Sequence, residues 1–245
     1  MVFKCDRRTA SGRSPKPGPP RRFGSRFPVS PAATRSGPLI LGTMVSTSYT
    51  CLAVIDDYLD LKLAEFLERA ASEQAPGAGS VAAVAIALAA SLVAKVARRS
   101  RDSWTDGAGV AAQALELRSR CPSLARDDAD AWQQALAALG SARGRHGGDA
   151  ELRRVLDRAA DLPLAIAETG ADVAGLALLA AERGEASLRG EAVAAAVLAH
   201  AGVRAAAHLV VINLATRSAD ERTERAGRAE RAAASAASGA LAGER

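Results

Sequence analysis

Hydrophobic and polar positions follow a helical period along most of this chain. In residues 56–73, Leu63, Phe66 and Leu67 recur three to four residues apart, which predicts an amphipathic helix with these side chains inward. The same pattern predicts helices over about 107–121, 123–139, 149–183 and 191–216. Because Pro163 falls inside the third of these patterns, we expect a kink within one helix there rather than a boundary between domains.

The most apolar segment runs from Val81 to Ala94 and is followed by Lys95, Arg98 and Arg99. Its fourteen residues would cover about 21 Å as a helix, which is less than the ~30 Å core of a bilayer. We therefore predict a buried core helix with a basic C-terminal end, and no membrane partner.

Small side chains take the place of aromatic ones in this sequence. Hydrophobic residues make up 49% of the chain and aromatic residues 3%, and a composition rich in alanine favours helices that pack closely. We therefore predict an all-α fold, an up-and-down bundle of about six to eight helices, with its main domain at residues 51–220. Residues 221–245 have few large apolar side chains, which predicts a frayed or exposed C-terminal helix or tail.

Residues 1–50 form a basic extension rich in Pro and Arg. We predict that this extension is disordered, because it cannot bury enough apolar surface to offset its chain entropy. An organelle transit peptide, a nucleic-acid or membrane arm, and an extension upstream of a true start at Met44 all fit its composition. The position of Met44 just before the helical pattern favours the last of these.

The positive charge of the chain is concentrated in that extension. Residues 1–43 carry nine Lys or Arg against Asp6 alone, which is more than the whole net charge of +5. The remainder is therefore mildly acidic, and we predict no nucleic-acid partner. Cys5, Cys51 and Cys121 lack the paired spacing of a zinc or redox motif, which favours a reducing, cytoplasmic location and no metal.

A loop-to-helix junction lies at Pro76, Gly77, Ala78, Gly79 and Ser80. Proline and glycine interrupt the preceding helix, and Ser80 is a suitable N-cap for the next one. The first amides of a helix have no partners within it and lie at the positive end of its dipole, so they can bind an anionic or carbonyl group. A tight turn between two core helices fits the same residues.

Four sequence landmarks carry a resemblance to a known family. The junction followed by Val81-Ala82-Ala83 resembles the Pro-Gly-Gly-Gly-Ser-Val-Ala-Ala signature of the cyclodeaminase/cyclohydrolase family, which includes the C-terminal domain of formiminotransferase-cyclodeaminase and methenyltetrahydrofolate cyclohydrolases. Residues 128–132 are similar to its Asp-x-Glu-Ala-Phe element and residues 162–164 to its Val-Pro-Leu. Arg204 with residues 212–214 is similar to its closing Arg-Gly-Ala and Ile-Asn-Leu. The chain thus resembles a divergent member of that family.

The resemblance implies a cytoplasmic homodimer that acts on a tetrahydrofolate derivative without a metal. The two reactions of the family are hydrolysis of 5,10-methenyltetrahydrofolate to 10-formyltetrahydrofolate and deamination of 5-formiminotetrahydrofolate. The alternative is a member that has lost catalysis and acts as a folate-binding or assembly subunit. Three departures from the family pattern favour this alternative: Ala78 in place of a glycine, Gly190-Glu191 in place of a Ser-Asp pair, and Lys95.

Two carboxylates are the catalytic candidates. Asp128 matches the family's acid/base aspartate, and Trp132 one turn later could shield it and raise its pKa. Glu191 matches the aspartate of the Ser-Asp pair. Each also has an alternative without a catalytic role. Asp128 could belong to a solvent-exposed acidic helix face, and Glu191 could simply be a favourable carboxylate at a helix N-terminus.

The substrate-binding candidates are the junction residues Pro76, Gly77, Gly79 and Ser80, together with Arg98 and Asn213. Arg98 could bind a folate glutamate tail, although a cation at a helix C-terminus needs no ligand to be favourable. Asn213 is either a core amide bonded to a neighbouring helix or part of a pocket wall. We expect one cleft between the junction, Asp128 and Glu191.

Overall fold

A computed structural model of the chain describes residues 61–72, 76–142, 149–214 and 220–243. The predictions for residues 1–60, including the disordered extension and the start at Met44, lie outside the described residues. The described helices are α1 (Leu63–Ala70), α2 (Ala78–Arg99), α3 (Gly107–Ala142), α4 (Asp149–Arg183), α5 (Arg189–Asn213) and α6 (Glu221–Ala242), with a 3-10 turn at Ala186–Leu188. No strand occurs in these ranges, and the all-α prediction is confirmed.

Helix α2 packs against α3, α4 and α5. Ala83, Ala90 and Ala97, seven residues apart, are fully buried on it, and such small side chains let neighbouring helices approach closely. Helix α5 runs antiparallel to α2. Gly202 of α5 lies against Ile86, where a Cβ would come within 2.8 Å of the isoleucine Cγ1, while Glu191 at the start of α5 meets Lys95 near the end of α2.

The separate helices predicted for residues 107–121 and 123–139 are one continuous helix, α3, with Pro122 inside it. A proline removes the hydrogen bond to the carbonyl four residues earlier, here that of Arg118. Arg118 is exposed, so water can satisfy this carbonyl and the helix need not end. Helix α4 likewise continues through Pro163, as predicted, without a domain boundary.

Helix α6 differs from the frayed or exposed segment predicted after Ser218. It packs against α4 and α5, and it buries a row of small side chains: Ala226, Ala229, Ala233, Ala236, Ala237 and Ala240. The prediction was wrong because it counted large apolar residues, whereas alanine faces can pack wherever backbones come close. Conversely, Leu63 and Leu67 of α1, predicted to point inward, are exposed, and Phe66 is the buried residue of that helix.

Three helical segments are long and apolar enough, by length and composition, to cross a membrane: Ala78–Arg99, Ala150–Arg183 and Ala186–Asn213. The first has 22 residues, more than the fourteen of the apolar run on which the prediction of no membrane span was based. In α2, 61% of the most apolar window is buried inside the bundle. The absence of a membrane partner stays a prediction.

Candidate active site

The junction before α2 brings backbone amides close to a carboxylate. Gly77, in extended conformation, is the N-cap, and α2 begins at Ala78. Ser80 therefore lies in the first turn and is not the N-cap predicted from the sequence. Its side chain is fully buried, and its hydroxyl donates a hydrogen bond of 2.7 Å to the Ala125 carbonyl of α3. This bond fixes the first turn of α2 against α3.

Asp128 lies on α3 one turn after that contact. The backbone N–H of Ser80 donates a hydrogen bond to its carboxylate. Gly79 packs directly on the same carboxylate, since a Cβ at this position would lie 2.5 Å from the Asp128 Cγ. The glycine is required here because its Cα allows the close approach, and its backbone needs no unusual φ.

Burial is the main influence on the Asp128 carboxyl. It raises the pKa of this group from the ordinary value of 3.8 to about 6, while the hydrogen bond from the Ser80 backbone opposes the rise. A carboxyl group with this pKa is mostly ionised at neutral pH, yet it holds a proton more readily than a surface aspartate. It is suited to accept and return a proton.

Two adjoining cavities lie at the junction, and Asp128 lines the smaller one. The smaller, of about 240 Å³, is lined by Asp128, Trp132, Pro163 and Asn213, together with the junction backbone. The larger, of about 910 Å³, is lined by Pro76, Leu136 and small residues of α2 and α5. Gly77, Ala78 and Trp132 line both cavities. The two cavities thus form one site, which has a narrow end that contains the Asp128 carboxylate and a wide, apolar end.

Asn213, at the end of α5, fulfils both roles considered from the sequence. Its Nδ2 donates a hydrogen bond of 2.5 Å to the Ala159 carbonyl of α4, and the residue is part of the lining of the smaller cavity. The site thus contains a carboxylate from α3 and an amide from α5, held over the start of α2.

The structure does not bring Glu191 into this site within one chain. Its carboxylate pairs with Lys95 at 2.8 Å, and the hydrogen bond from Lys95 lowers the pKa of Glu191. Lys95 lies sixteen residues after Gly79 on α2, or about 24 Å along the helix. Arg98 is exposed one turn further on. The expectation of one cleft that holds both carboxylates is therefore wrong for the single chain.

The antiparallel packing of α2 and α5 is the reason for this separation. It sets the start of α5 beside the end of α2, and the end of α5, with Asn213, beside the junction. The sequence contains each helix but not this pairing. One signal was available: a proline inside a helix leaves the carbonyl four residues earlier in need of an outside donor, and Pro163 marks Ala159 in this way.

In the described residues, no group of three or more His, Cys, Asp and Glu could hold a metal, and the prediction that no metal binds remains a prediction.

Comparison with known proteins places this geometry in context. The model of a protein family described as formiminotransferase-cyclodeaminase matches residues 62–233. A methenyltetrahydrofolate cyclohydrolase of Methylorubrum extorquens is 29% identical over 163 residues, which cover 62% of this chain and 77% of that protein. The crystal structure of a formiminotetrahydrofolate cyclodeaminase from Thermotoga maritima superposes with a TM-score of 0.64 at 25% identity, over 74% of this chain and 92% of that one.

Proposed function

Because this chain belongs to the formiminotransferase-cyclodeaminase family, we propose that it is an enzyme of folate one-carbon metabolism whose catalytic residue is Asp128. Its substrate is a tetrahydrofolate that carries a one-carbon unit on N5 or between N5 and N10. The observation that carries the proposal is the partly buried carboxylate beside the helix junction, in a cavity that continues into a wide groove.

Hydrolysis of 5,10-methenyltetrahydrofolate is the reaction we propose first, since the Methylorubrum relative, at the higher identity of the two, is a cyclohydrolase. Water adds to the cationic carbon between the two nitrogens, and Asp128 accepts a proton from it. The bond from this carbon to N5 then breaks, N5 takes a proton and the hydroxyl loses one. The products are 10-formyltetrahydrofolate and one proton released to solvent. A carboxylate beside the bridge also stabilises its positive charge.

The shape of the site supports a binding mode in which the two cavities take different parts of the ligand. The narrow cavity of about 240 Å³ takes the bicyclic ring that bears N5, and the groove of about 910 Å³ takes the rest of the molecule. In this proposal Pro76, Gly77 and Gly79 contact the ligand or Asp128 through backbone and small side chains. Ser80 acts as a positioning residue, because its hydroxyl is used by Ala125.

A homodimer is part of the proposal. Helices α2 and α5 expose an apolar stripe that includes Leu88, which is 57% exposed, Val81, Val197 and Leu198. The stripe runs from the groove to the Lys95–Glu191 pair. A two-fold axis near Leu88 would set the second copy's Glu191 and Arg98 opposite the junction of the first. Glu191 keeps a catalytic role, and Arg98 a substrate-binding role, only through such an arrangement.

A reducing, cytoplasmic environment fits the cysteine that the structure describes. Cys121 is buried and not in a disulfide, and burial raises the pKa of its thiol to about 11. A thiol of this kind is inert. The cytoplasmic location stays part of the proposal.

The test is the loss of methenyltetrahydrofolate absorbance with purified protein. We expect a rate above background for the wild type, and loss of most of that rate in Asp128→Asn. Asp130→Asn is the matched control, because it removes an exposed carboxylate from the same helix. The same proteins should then be tested for ammonia release from 5-formiminotetrahydrofolate.

Background rates in all three proteins with both substrates would exclude the enzyme. The alternative function, a folate-binding or assembly subunit, would then remain, and it is favoured by two features. Ala78 lines both cavities, and the Glu191 carboxylate is paired with Lys95. Calorimetric titration with tetrahydrofolates would test that alternative.

A further inference from the structure

Pro163 leaves an unpaired carbonyl inside the bundle. In helix α4 the carbonyl of Ala159 would accept from the N–H of residue 163, but proline has no N–H. Ala159 is buried, so its carbonyl has little access to bulk water. A buried carbonyl without a partner costs about 1–3 kcal/mol.

Asn213 supplies the missing donor from α5. Its Nδ2 lies 2.5 Å from the Ala159 carbonyl oxygen. Because a carbonyl oxygen can only accept a hydrogen bond, the amide must turn its NH2 group toward Ala159. The Oδ1 is then directed away from α4, and it has no hydrogen-bond partner among the described residues.

The residue that carries this oxygen lines the narrow cavity. Asn213 and Pro163 both line it, as does Asp128. The cavity therefore presents a fixed acceptor, Oδ1, in addition to the carboxylate. The Asn213 amide cannot exchange the two ends of its side chain without leaving Ala159 unpaired.

We propose that Asn213 is a specificity-determining residue that accepts a hydrogen bond from an N–H or amino group of the ligand's ring, and that Pro163 is the positioning residue that fixes its orientation. The proposal rests on the proposed function, since the reduced pterin ring of a tetrahydrofolate carries such donors on its edge. A ring system that offers only acceptors there would leave Oδ1 unsatisfied and would bind less well.

A double-mutant cycle on stability tests the role of Pro163. Asn213→Ala alone should lower Tm by about 5 °C, since it leaves the Ala159 carbonyl unpaired. In a Pro163→Ala background the new N–H of residue 163 takes that carbonyl, and Asn213→Ala should then change Tm by less than about 1 °C. Pro122→Ala is the matched control, because the carbonyl it re-pairs, at Arg118, belongs to an exposed residue. In that background Asn213→Ala should keep its full effect.

Ligand binding tests the role of Asn213, with 5-formyltetrahydrofolate as the calorimetric probe and methenyltetrahydrofolate as the substrate. We expect Asn213→Ala to weaken probe binding and to raise KM by about tenfold, with kcat changed by less than about threefold. The Pro163→Ala, Asn213→Ala double variant should recover Tm but keep the weak binding. A purely structural role for Asn213 would recover both.

The two experiments test the role of Pro163 and the role of Asn213 separately. Equal Tm losses from Asn213→Ala in the wild-type and Pro163→Ala backgrounds would overturn the role of Pro163. Wild-type affinity in Asn213→Ala would overturn the role of Asn213. If the wild type neither binds the probe nor turns over the substrate, the proposed function fails and ligand recognition by Asn213 fails with it, whereas the stability cycle still decides the coupling to Pro163.

Discussion

The protonation of Asp128 is decided by two opposing contacts. Burial favours the neutral acid, and the Ser80 backbone N–H favours the carboxylate. Burial prevails, and the pKa rises to about 6. The folded protein therefore binds a proton at this residue more tightly than the unfolded chain does.

This shift predicts a pH-dependent stability difference between the wild type and Asp128→Asn. Since the folded-state pKa lies above the unfolded value of 3.8, stability from the neutral acid is fully present below about pH 4 and is lost as pH rises through about 6. Asparagine does not titrate. We expect the variant to match the wild type near pH 4 and to exceed it by on the order of 2–3 kcal/mol at pH 8, measured by urea denaturation.

The exposed Asp130 provides the comparison for that measurement. Asp130→Asn should stay within about 0.5 kcal/mol of the wild type, because substitutions at exposed positions rarely change stability by more. A constant difference between Asp128→Asn and the wild type across this range would mean that the Asp128 carboxyl is not perturbed by burial.

Gly79 is the second residue whose substitution is informative. In Gly79→Ala the added methyl overlaps the Asp128 carboxylate, so either the side chain or the first turn of α2 must move. We expect a loss of about 1–3 kcal/mol in unfolding free energy and a fall in kcat of about 100-fold, since a displacement near 1 Å has such an effect. Denaturation and single-turnover kinetics measure the two.

Gly109→Ala is the control for the glycine prediction. A Cβ at Gly109, near the start of α3, meets nothing within 4 Å, and alanine is the better helix former. This variant should keep full activity and equal or greater stability. If Gly79→Ala behaves in the same way, the carboxylate does not pack on Gly79.

At the scale of helices, the sequence predicted that a helix is present more reliably than where that helix begins and ends. The apolar period located α2, α4 and α5, because a strongly periodic face leaves little ambiguity. Pro122 was read as a break, yet α3 continues through it, since whether a proline ends a helix depends on whether its orphan carbonyl finds another donor, either water or a side chain. Helix α6 was underestimated because the burial of an alanine is decided by how closely two backbones approach, which no single segment encodes.

The exposed stripe on α2 and α5 carries a prediction about assembly. If it is the dimer interface, Leu88→Arg places a charge at its centre, and a buried unpaired charge is unfavourable. We expect light scattering to give a dimer of about twice 25.1 kDa for the wild type and a monomer for the variant. Methenyltetrahydrofolate turnover should fall with dimerisation if the second copy's Glu191 completes the site.

Leu241→Arg is suited as a control for assembly, because Leu241 is comparably exposed and lies on α6, a helix that does not contribute to the stripe. It should remain a dimer. A monomeric wild type, or a dimeric Leu88→Arg variant, would exclude this stripe as the interface. In that case Glu191 and Arg98 would have no route to the site.

At the scale of the whole molecule, the site depends on helix pairing that the sequence does not contain. The junction and Asp128 were identified by their residues, and their contact through Ser80 follows from the packing of α2 on α3. Glu191 was assigned to the same cleft because its residue type matched, but the antiparallel course of α5 sets it at the other end of α2. Side chains with suitable chemistry could be recognised one by one in the sequence, whereas which of them lie close together depends on the fold.

The last helix also supports the site, through one arginine. Arg222 of α6, whose side chain is 15% exposed, pairs with Asp157 and Asp161 of α4 and with Asp220. These carboxylates raise its pKa still further above the ordinary arginine value. The pairs fix α6 to the segment of α4 that leads to Ala159 and Pro163. We therefore expect α6 to be required for the geometry of Asn213 and not merely to extend the bundle.

Arg222→Met tests this dependence. It keeps the aliphatic stem but leaves three carboxylates without their shared cation, and removing one partner of a poorly solvated group of this kind destabilises by about 3 kcal/mol. We expect Tm to fall by about 6–10 °C and the affinity for 5-formyltetrahydrofolate to fall with it. The control is Arg204→Met, which removes an arginine that is 74% exposed and lies 3.7 Å from Glu230 of α6. An exposed pair contributes little, so this variant should keep the wild-type Tm; an equal loss in both variants would mean that the buried Arg222 pairs are not what holds α6 in place.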